Sequence, residues 1–327
     1  MHVLVTGGAG YVGSHILYVL QQRGHTAVAL DSMEAGFHAA VGDTPLVIGN
    51  TNDAGLLDRV FGEQRFDAVI HCAAYKAPGE SFEQPGRYFA NNVGGSLTLF
   101  DAMARADIKT LVFSSTCAVY GTPATVPVLE THPLQPESPY GESKLMVEQM
   151  LRWFDARYGL RSVCLRYFNV AGAVPQAGIG EDARCTFNLL PTLMHRALGP
   201  HPAVSIFGVD YPTPDGTLIR DYIHVLDLAD AHERALHFIA TNDRSAVFNL
   251  GTGSGYSVRQ VIDTVKRISG VAIEVTEGKR RAGDLGATYA DNAKAKAELG
   301  WQPTRTLNDM ITSAWDWHVA HPHGYAT

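Results

Sequence analysis

The feature that most constrains this chain is a rhythm. Through the first 170 residues, short apolar runs with no alternating polar residues recur between longer stretches of helical pattern. The runs are His2–Thr6, Ala27–Leu30, Leu46–Ile48, Ala68–His71, Thr110–Ser114 and Ser162–Arg166. The helical stretches lie near Gly13–Arg23, Ala54–Gln64, Gly94–Ala106 and Tyr140–Tyr158. A strand apolar on both sides must be covered on both faces, and an intervening helix makes consecutive strands parallel. The expectation is an α/β fold with a doubly wound parallel sheet of the Rossmann kind over residues 1–170.

After about Asn169 the rhythm loosens. Gly and Pro recur through Gly172–Pro191 and Gly199–Gly216, which reads as loops around short elements, and helical patterns return near Val225–Ala240, Ser257–Ile268 and Asn292–Leu299. Residues 171–327 are expected to form a smaller α/β substrate-binding lobe, with some strands free to return to the first domain. That lobe would close a cleft over the strand ends, with His321 and His323 in a solvated tail. Buried or supporting positions are expected for His71 and His224.

Composition narrows the functional classes. The 26 basic and 33 acidic residues give a formal charge of −7 without a basic block, which argues against nucleic acid or an anionic membrane as partner. Apolar runs are shorter than a membrane span requires, and no signal peptide is expected. The four cysteines, Cys72, Cys117, Cys164 and Cys185, are scattered without a C-x-x-C pair. No metal site or disulfide framework is expected, and a reducing cytoplasm is the expected location.

Chemistry enters at the first turn. Gly7-Gly8-Ala9-Gly10-Tyr11-Val12-Gly13 follows a strand and opens a helix. Glycines there allow a tight turn and bring backbone N–H groups close to a pyrophosphate at the helix N-terminus. Asp31 ends the second strand, where a carboxylate accepts hydrogen bonds from a ribose diol and repels a 2′-phosphate, favouring NAD over NADP. Tyr140 is followed four residues later by Lys144, so both share one helix face. That spacing alone is weak, but Ser114-Ser115-Thr116 ends the fifth strand at the ligand-binding edge of the sheet. A lysine ammonium nearby, together with an oxidised nicotinamide, would favour the Tyr140 phenolate, and Thr116 would bond the oxygen that Tyr140 deprotonates.

These residues carry a resemblance that runs along nearly the whole chain. It covers VTGGAGYVGSH near the start, KAPGES at Lys76–Ser81, NNVGGS at Asn91–Ser96, FSSTCAVYG at Phe113–Gly121 and SPYGESKLMVE at Ser138–Glu148. It continues through LRYFN at Leu165–Asn169, IRDYIHVLDLADAH at Ile219–His232, FNLGTG at Phe248–Gly253 and RRAGDLGATYAD at Arg280–Asp291. The chain resembles the extended short-chain dehydrogenase/reductase family, and within it the enzymes that invert C4 of a UDP-hexose. Family dehydratases carry an Asp-Glu pair after the catalytic Thr, and the decarboxylase relatives a Glu at the second position. Here Cys117 and Ala118 stand there, which favours epimerisation. The alternatives are an epimerase of another nucleotide sugar, such as a UDP-uronic acid, and a non-catalytic dinucleotide sensor.

The resemblance implies NAD as cofactor and Tyr140, Lys144 and Thr116 as the catalytic residues. It implies NAD contacts from Gly7, Gly10, Tyr11, Val12, Gly13, Asp31, Asn50 and Thr51, then from Cys72, Ala73, Ala74, Lys76, Asn91 and Phe168, and from the catalytic three. Substrate contacts are implied for Lys76, Thr116, Tyr140, Asn169, Asn188, Leu189 and Ser205. Phe207 would lie against uracil, Arg220 and Arg281 would clamp the pyrophosphate, and Asp284 would hold the uridine ribose. Thr288 would flank the hexose C2 substituent, where a residue smaller than Tyr leaves room for an N-acetyl group; a one-residue slip would put Tyr289 there. A homodimer through the helices near Gly94–Ala106 and Tyr140–Tyr158 is also implied. Two departures touch NAD: Asn50 replaces the usual Asp, its amide oxygen expected to accept from adenine instead, and Ser32–Gly36 replaces an Asn-rich turn.

Overall fold

The computed structural model describes residues 1–186, 188–280 and 286–326. The six expected strands are present as β1 His2–Thr6, β2 Thr26–Asp31, β3 Leu46–Ile48, β4 Ala68–His71, β5 Thr110–Ser114 and β6 Arg161–Tyr167. Among the described residues a seventh, Ala246–Leu250, pairs parallel with β6. The order, from that strand, is β6, β5, β4, β1, β2, β3, so the chain reverses direction across the sheet between β1 and β4. Loops diverge at this point, leaving a crevice at the carboxyl ends of the strands.

Successive residues of each strand enter different layers, as the two-residue period requires. Val3, Val5, Ile70 and Val112 pack with Ile16 and Leu20 of helix α1 (Tyr11–Gln22) and with Leu228 and Leu236 of helix Val225–Asn242. Leu4, Val28, Val69 and Phe113 pack on the other face with Leu57, Phe100, Val147 and Leu151. Burying each such side chain contributes roughly 1.5–3 kcal/mol, so both coats hold the strand ends rigid. The seventh strand and the helix Val225–Asn242 belong to this core although they lie beyond residue 170 in sequence.

A second core gathers Leu193, Met194, Ile206, Ile262, Val265, Met310 and Ile311. Short elements do interrupt the Gly- and Pro-rich stretches: helix Leu189–Ala197 starts at the end of the first, and strand Ala203–Phe207, which pairs parallel with Glu274–Gly278, lies in the second. Pro191 falls in the first turn of that helix, where a missing N–H costs nothing, and Gly208 (φ +83°) only ends the strand. Helix Leu307–Ala320 has no counterpart in the sequence reading; it starts with a capping box from Thr306 and Asp309. The tail beyond it is solvated only in part: His323 is exposed as expected, but the His321 ring stacks on Trp317 with centroids 4.8 Å apart, and Tyr325 is buried. Among the described residues no helix is long and apolar enough to cross a membrane.

Candidate active site

The crevice is a cleft of about 800 Å³ running along the carboxyl ends of the strands. At its start Gly7 adopts φ +70°, and a Cβ on it would lie 2.7 Å from the backbone nitrogen of Ala73. A Cβ on Gly13 would lie 2.1 Å from the Gly7 carbonyl oxygen. Only glycine lets the turn, the start of α1 and the end of β4 approach this closely. Gly10, Tyr11 and Val12 complete this wall. The Tyr11 hydroxyl donates to the Gly172 carbonyl at 2.7 Å.

Asp31 stands at the end of β2. Its carboxylate accepts from the backbone N–H of Ala9 at 3.0 Å and of Met33 at 2.9 Å. Burial raises its pKa, and those two donors offset only part of the rise. Asn50 and Thr51 follow on the same wall, but the expected role of Asn50 needs correction. Its Oδ1 already accepts from the Asn52 backbone N–H at 2.9 Å and the Asn52 amide at 3.0 Å. Both acceptor positions are thus engaged within the turn, and the group Asn50 offers a ligand is its NH₂.

Cys72, Ala73, Ala74, Lys76 and Asn91 line the middle of the cleft. Burial pushes the Cys72 thiol up to about 11, so it stays protonated and polarises nothing. Phe168 is placed otherwise: its ring packs with Val119, Tyr120, Val128 and Leu145 in a small core cluster and lies outside the cleft lining.

At the far end Tyr140 and Lys144 project from helix Pro139–Tyr158, which Ser138 caps by accepting from the Gly141 N–H at 3.1 Å. A Cβ at Gly141 would lie 2.7 Å from the Ala118 carbonyl oxygen, so the helix start rests directly on the turn after Thr116. Thr116 is buried and lies outside the cleft lining, but its hydroxyl favours the Tyr140 phenolate. Burial pushes Tyr140 up to about 12 against that effect, and the neighbouring Cys117 adds to the rise. In the chain alone Lys144 is not among the groups that shift the phenol. The Lys144 ammonium donates to the Ser114 carbonyl at 2.9 Å, lies 4.7 Å from the Phe113 ring centre, and is itself pushed down to about 8 by burial. Desolvation outweighs the charge–charge effect because both groups are enclosed. Cys117, in the position of the dehydratase acid, is a thiol raised to about 12 by burial and unfit for proton transfer.

This end is braced from behind. Ser115 donates to Glu148 at 2.5 Å, and Arg166 donates to both Glu148 oxygens and to the Tyr120 hydroxyl at 2.9 Å. The Tyr120 hydroxyl donates in turn to Asn249 at 2.7 Å, tying the seventh strand to the catalytic turn.

A second cavity of about 440 Å³ opens in the other lobe, lined by Asn169, Asn188, Leu189, Ser205, Phe207 and Arg220. Asn188 lines both cavities, so the two adjoin. Thr288 sits half-buried beside Arg220 in the short strand pair Ala287–Thr288 and Ile219–Arg220 but lines neither cavity. Arg281 and Asp284 lie outside the described residues.

Some residues of the cleft were not foreseen. Glu181 is buried in its wall, accepts from Lys76 and from Asn188 at 3.2 Å each, and has an Oε2 with no hydrogen-bond partner among the described residues. Phe37 and Tyr325 also line it. No local motif marks these residues, because packing over more than a hundred residues assembles them.

The close-approach glycines, Asp31 at the end of β2, the buried Glu181 oxygen without a partner among the described residues and the cleft's volume together fit a dinucleotide. With Tyr140, Thr116 and Lys144 at its end, they define a dinucleotide-dependent α/β enzyme of the short-chain dehydrogenase/reductase type. Residues 3–251 match the NAD dependent epimerase/dehydratase family, and the chain belongs to it. It is 45% identical to the UDP-glucose 4-epimerase of Halalkalibacterium halodurans, over 100% of this chain and 98% of that protein. Among solved structures it is similar to the Bifidobacterium longum UDP-glucose 4-epimerase in complex with NAD⁺ and UDP, with a TM-score of 0.91 and 39% identity over 99% of this chain and 100% of that one. It is also similar to the Campylobacter jejuni UDP-Glc/GlcNAc 4-epimerase, with a TM-score of 0.86 and 36% identity over 98% and 99%.

Proposed function

We propose that the chain catalyses reversible epimerisation at C4 of a UDP-hexose, converting UDP-galactose and UDP-glucose into each other. The observation that carries this reading is the join at Asn188 of the cleft lined by Tyr140 and Lys144 to a cavity lined by Arg220 and Phe207. A guanidinium suits a pyrophosphate and a phenyl ring suits a uracil face. When bound, NAD supplies an acceptor that takes a hydride from C4 and returns it, together with a positive charge beside Tyr140. Gly7, Gly13 and Asp31 would hold it, and Lys144 would bond a ribose hydroxyl. Tyr140 takes the 4-hydroxyl proton and later gives it back, with Thr116 bonding the same sugar oxygen. Arg220, with Arg281 and Asp284 in the same role, anchors the UDP while the 4-keto hexose turns, so that reduction reaches the opposite face. The absence of an acid at Cys117 and Ala118 keeps the chemistry to this oxygen.

Thr288, smaller than Tyr at the position the resemblance assigns to the hexose C2 substituent, supports acceptance of UDP-N-acetylhexosamines as well. Exposed Leu97, Met146 and Trp153 on helices Gly95–Arg105 and Pro139–Tyr158 support a homodimer through those helices. Cys72, Cys117, Cys164 and Cys185, all free thiols, support a reducing, cytoplasmic setting. The test incubates the protein with UDP-galactose, and separately with UDP-N-acetylglucosamine, and follows each by NMR without added cofactor. Conversion of UDP-galactose is expected; no exchange of any UDP-hexose at saturating NAD refutes the reading. Thr288→Tyr is expected to remove activity on the acetylated sugar and spare UDP-galactose.

A further inference from the structure

Four residues in the wall of the dinucleotide cleft form a closed ring of contacts, through side chains and the Tyr325 backbone, and they come from three distant parts of the chain. Phe37 ends the loop that follows Asp31, Asp182 and Arg184 belong to the segment before helix Leu189–Ala197, and Tyr325 lies in the C-terminal tail. The rings of Phe37 and Tyr325 stack with centroids 4.8 Å apart. The Tyr325 backbone N–H donates to Asp182 at 3.0 Å, and its carbonyl accepts from Arg184 at 2.9 Å. Asp182 and Arg184 form an ion pair at 2.7 Å, and the Arg184 guanidinium lies 5.5 Å from the Phe37 ring centre, which closes the ring.

The Tyr325 hydroxyl adds a second grip. It accepts from the Gly180 N–H at 2.9 Å and donates to the Gly180 carbonyl at 3.2 Å. The tail therefore holds the residues on both sides of Glu181, the buried carboxylate whose Oε2 has no partner among the described residues. The backbone is shaped for this approach: Gly324 adopts φ +76°, and a Cβ there would lie 2.1 Å from an Asp182 carboxylate oxygen. Trp317 supports the turn from below, its indole N–H donating to the Gly178 carbonyl at 3.2 Å.

We infer that Tyr325, acting through Phe37, Asp182 and Arg184, is a positioning residue that fixes Gly180–Asp182 as a wall of the cleft and so sets how slowly bound NAD leaves. The inference rests on the functional reading above. An epimerase of this kind completes its cycle with the same NAD molecule, so slow release serves each turnover. A wall ordered before binding costs no entropy when the ligand arrives, and loosening it shows first in the dissociation rate.

The test loads the protein with radiolabelled NAD, adds unlabelled NAD in excess, and follows loss of label by rapid gel filtration. Tyr325→Ala and Phe37→Ala are each expected to speed the loss about tenfold or more, and the double variant by much less than the product, since both break one ring of contacts. Tyr325→Phe, which keeps the stack and loses only the hydroxyl bonds, is expected to fall between. Exchange within twofold of the wild type in both alanine variants, even with a lowered melting temperature, overturns the inference. Should Tyr325→Ala not fold, Phe37→Ala decides alone. A wild-type protein that retains no NAD overturns the functional reading itself.

Discussion

Replacing Lys144 with Met is expected to stabilise the cofactor-free protein at neutral pH, and the reason is visible in its surroundings. The ammonium is buried, donates to one carbonyl, and has its pKa lowered from 10.5 to about 8 by desolvation. A folded-state pKa below the unfolded one means that the charged form favours unfolding. That penalty is complete below about pH 8, shrinks between the two pKa values, and is gone above 10.5. Near pH 7 it amounts to about 3 kcal/mol, and near pH 9.5 to about 1 kcal/mol. Met fills similar space without charge but leaves the Ser114 carbonyl without this donor, at a cost of about 1–3 kcal/mol at either pH. The variant should therefore gain about 1 kcal/mol near pH 7 and lose about as much near pH 9.5. Urea unfolding at both pH values reads the difference directly. A change of about 2 kcal/mol in the relative stability of the two proteins is expected. Relative stability constant to within about 0.5 kcal/mol would refute the argument that burial of this charge strains the apoenzyme.

Tyr140→Phe is expected to lower turnover by about 10²–10⁴-fold while UDP affinity by calorimetry stays near the wild-type value, because Arg220 and Phe207 line the other cavity. Glu148→Ala leaves the buried Arg166 without its partner and should cost about 3–5 kcal/mol in urea unfolding, whereas a double replacement by Met restores much of it. Burial pushes His15, His71 and His224 down to about 3, and His232 and His318 to about 4, from an ordinary 6.5. Their stabilising effect is present above pH 6.5 and is lost as the pH falls toward the folded values, each site contributing up to about 1.4 kcal/mol per pH unit in that window. The urea midpoint should drop steeply below pH 6.5, and a flat profile down to pH 4.5 would contradict it.

The sequence carries its local physics openly. Strands buried on both faces announce themselves as unbroken apolar runs, so β1 to β6 are readable to within a residue or two, and the glycine turn reads because its backbone demands are local. Ala246–Leu250 has the same apolar character, but its membership of the first sheet depends on a chain that leaves for the other lobe and returns. Helix Leu189–Ala197 hides behind a Pro in its first turn. What no local pattern reveals is burial: whether Lys144 meets Tyr140 or turns to the Ser114 carbonyl, and whether the tail is free or lodged against Phe37. Those outcomes depend on packing between segments that lie 30 residues apart for Lys144 and Ser114 and nearly the whole chain apart for Phe37 and Tyr325.

The central claim is that C4 is oxidised and re-reduced by one transferred hydrogen that never enters water. UDP-galactose carrying deuterium at C4, converted in ordinary water and read by NMR, tests it most directly. Full retention of deuterium at C4 of the UDP-glucose formed is the expected result. Loss of the label to solvent, or solvent hydrogen entering at C4 or a neighbouring carbon, would show that the site works by removing a proton from carbon and would contradict the account.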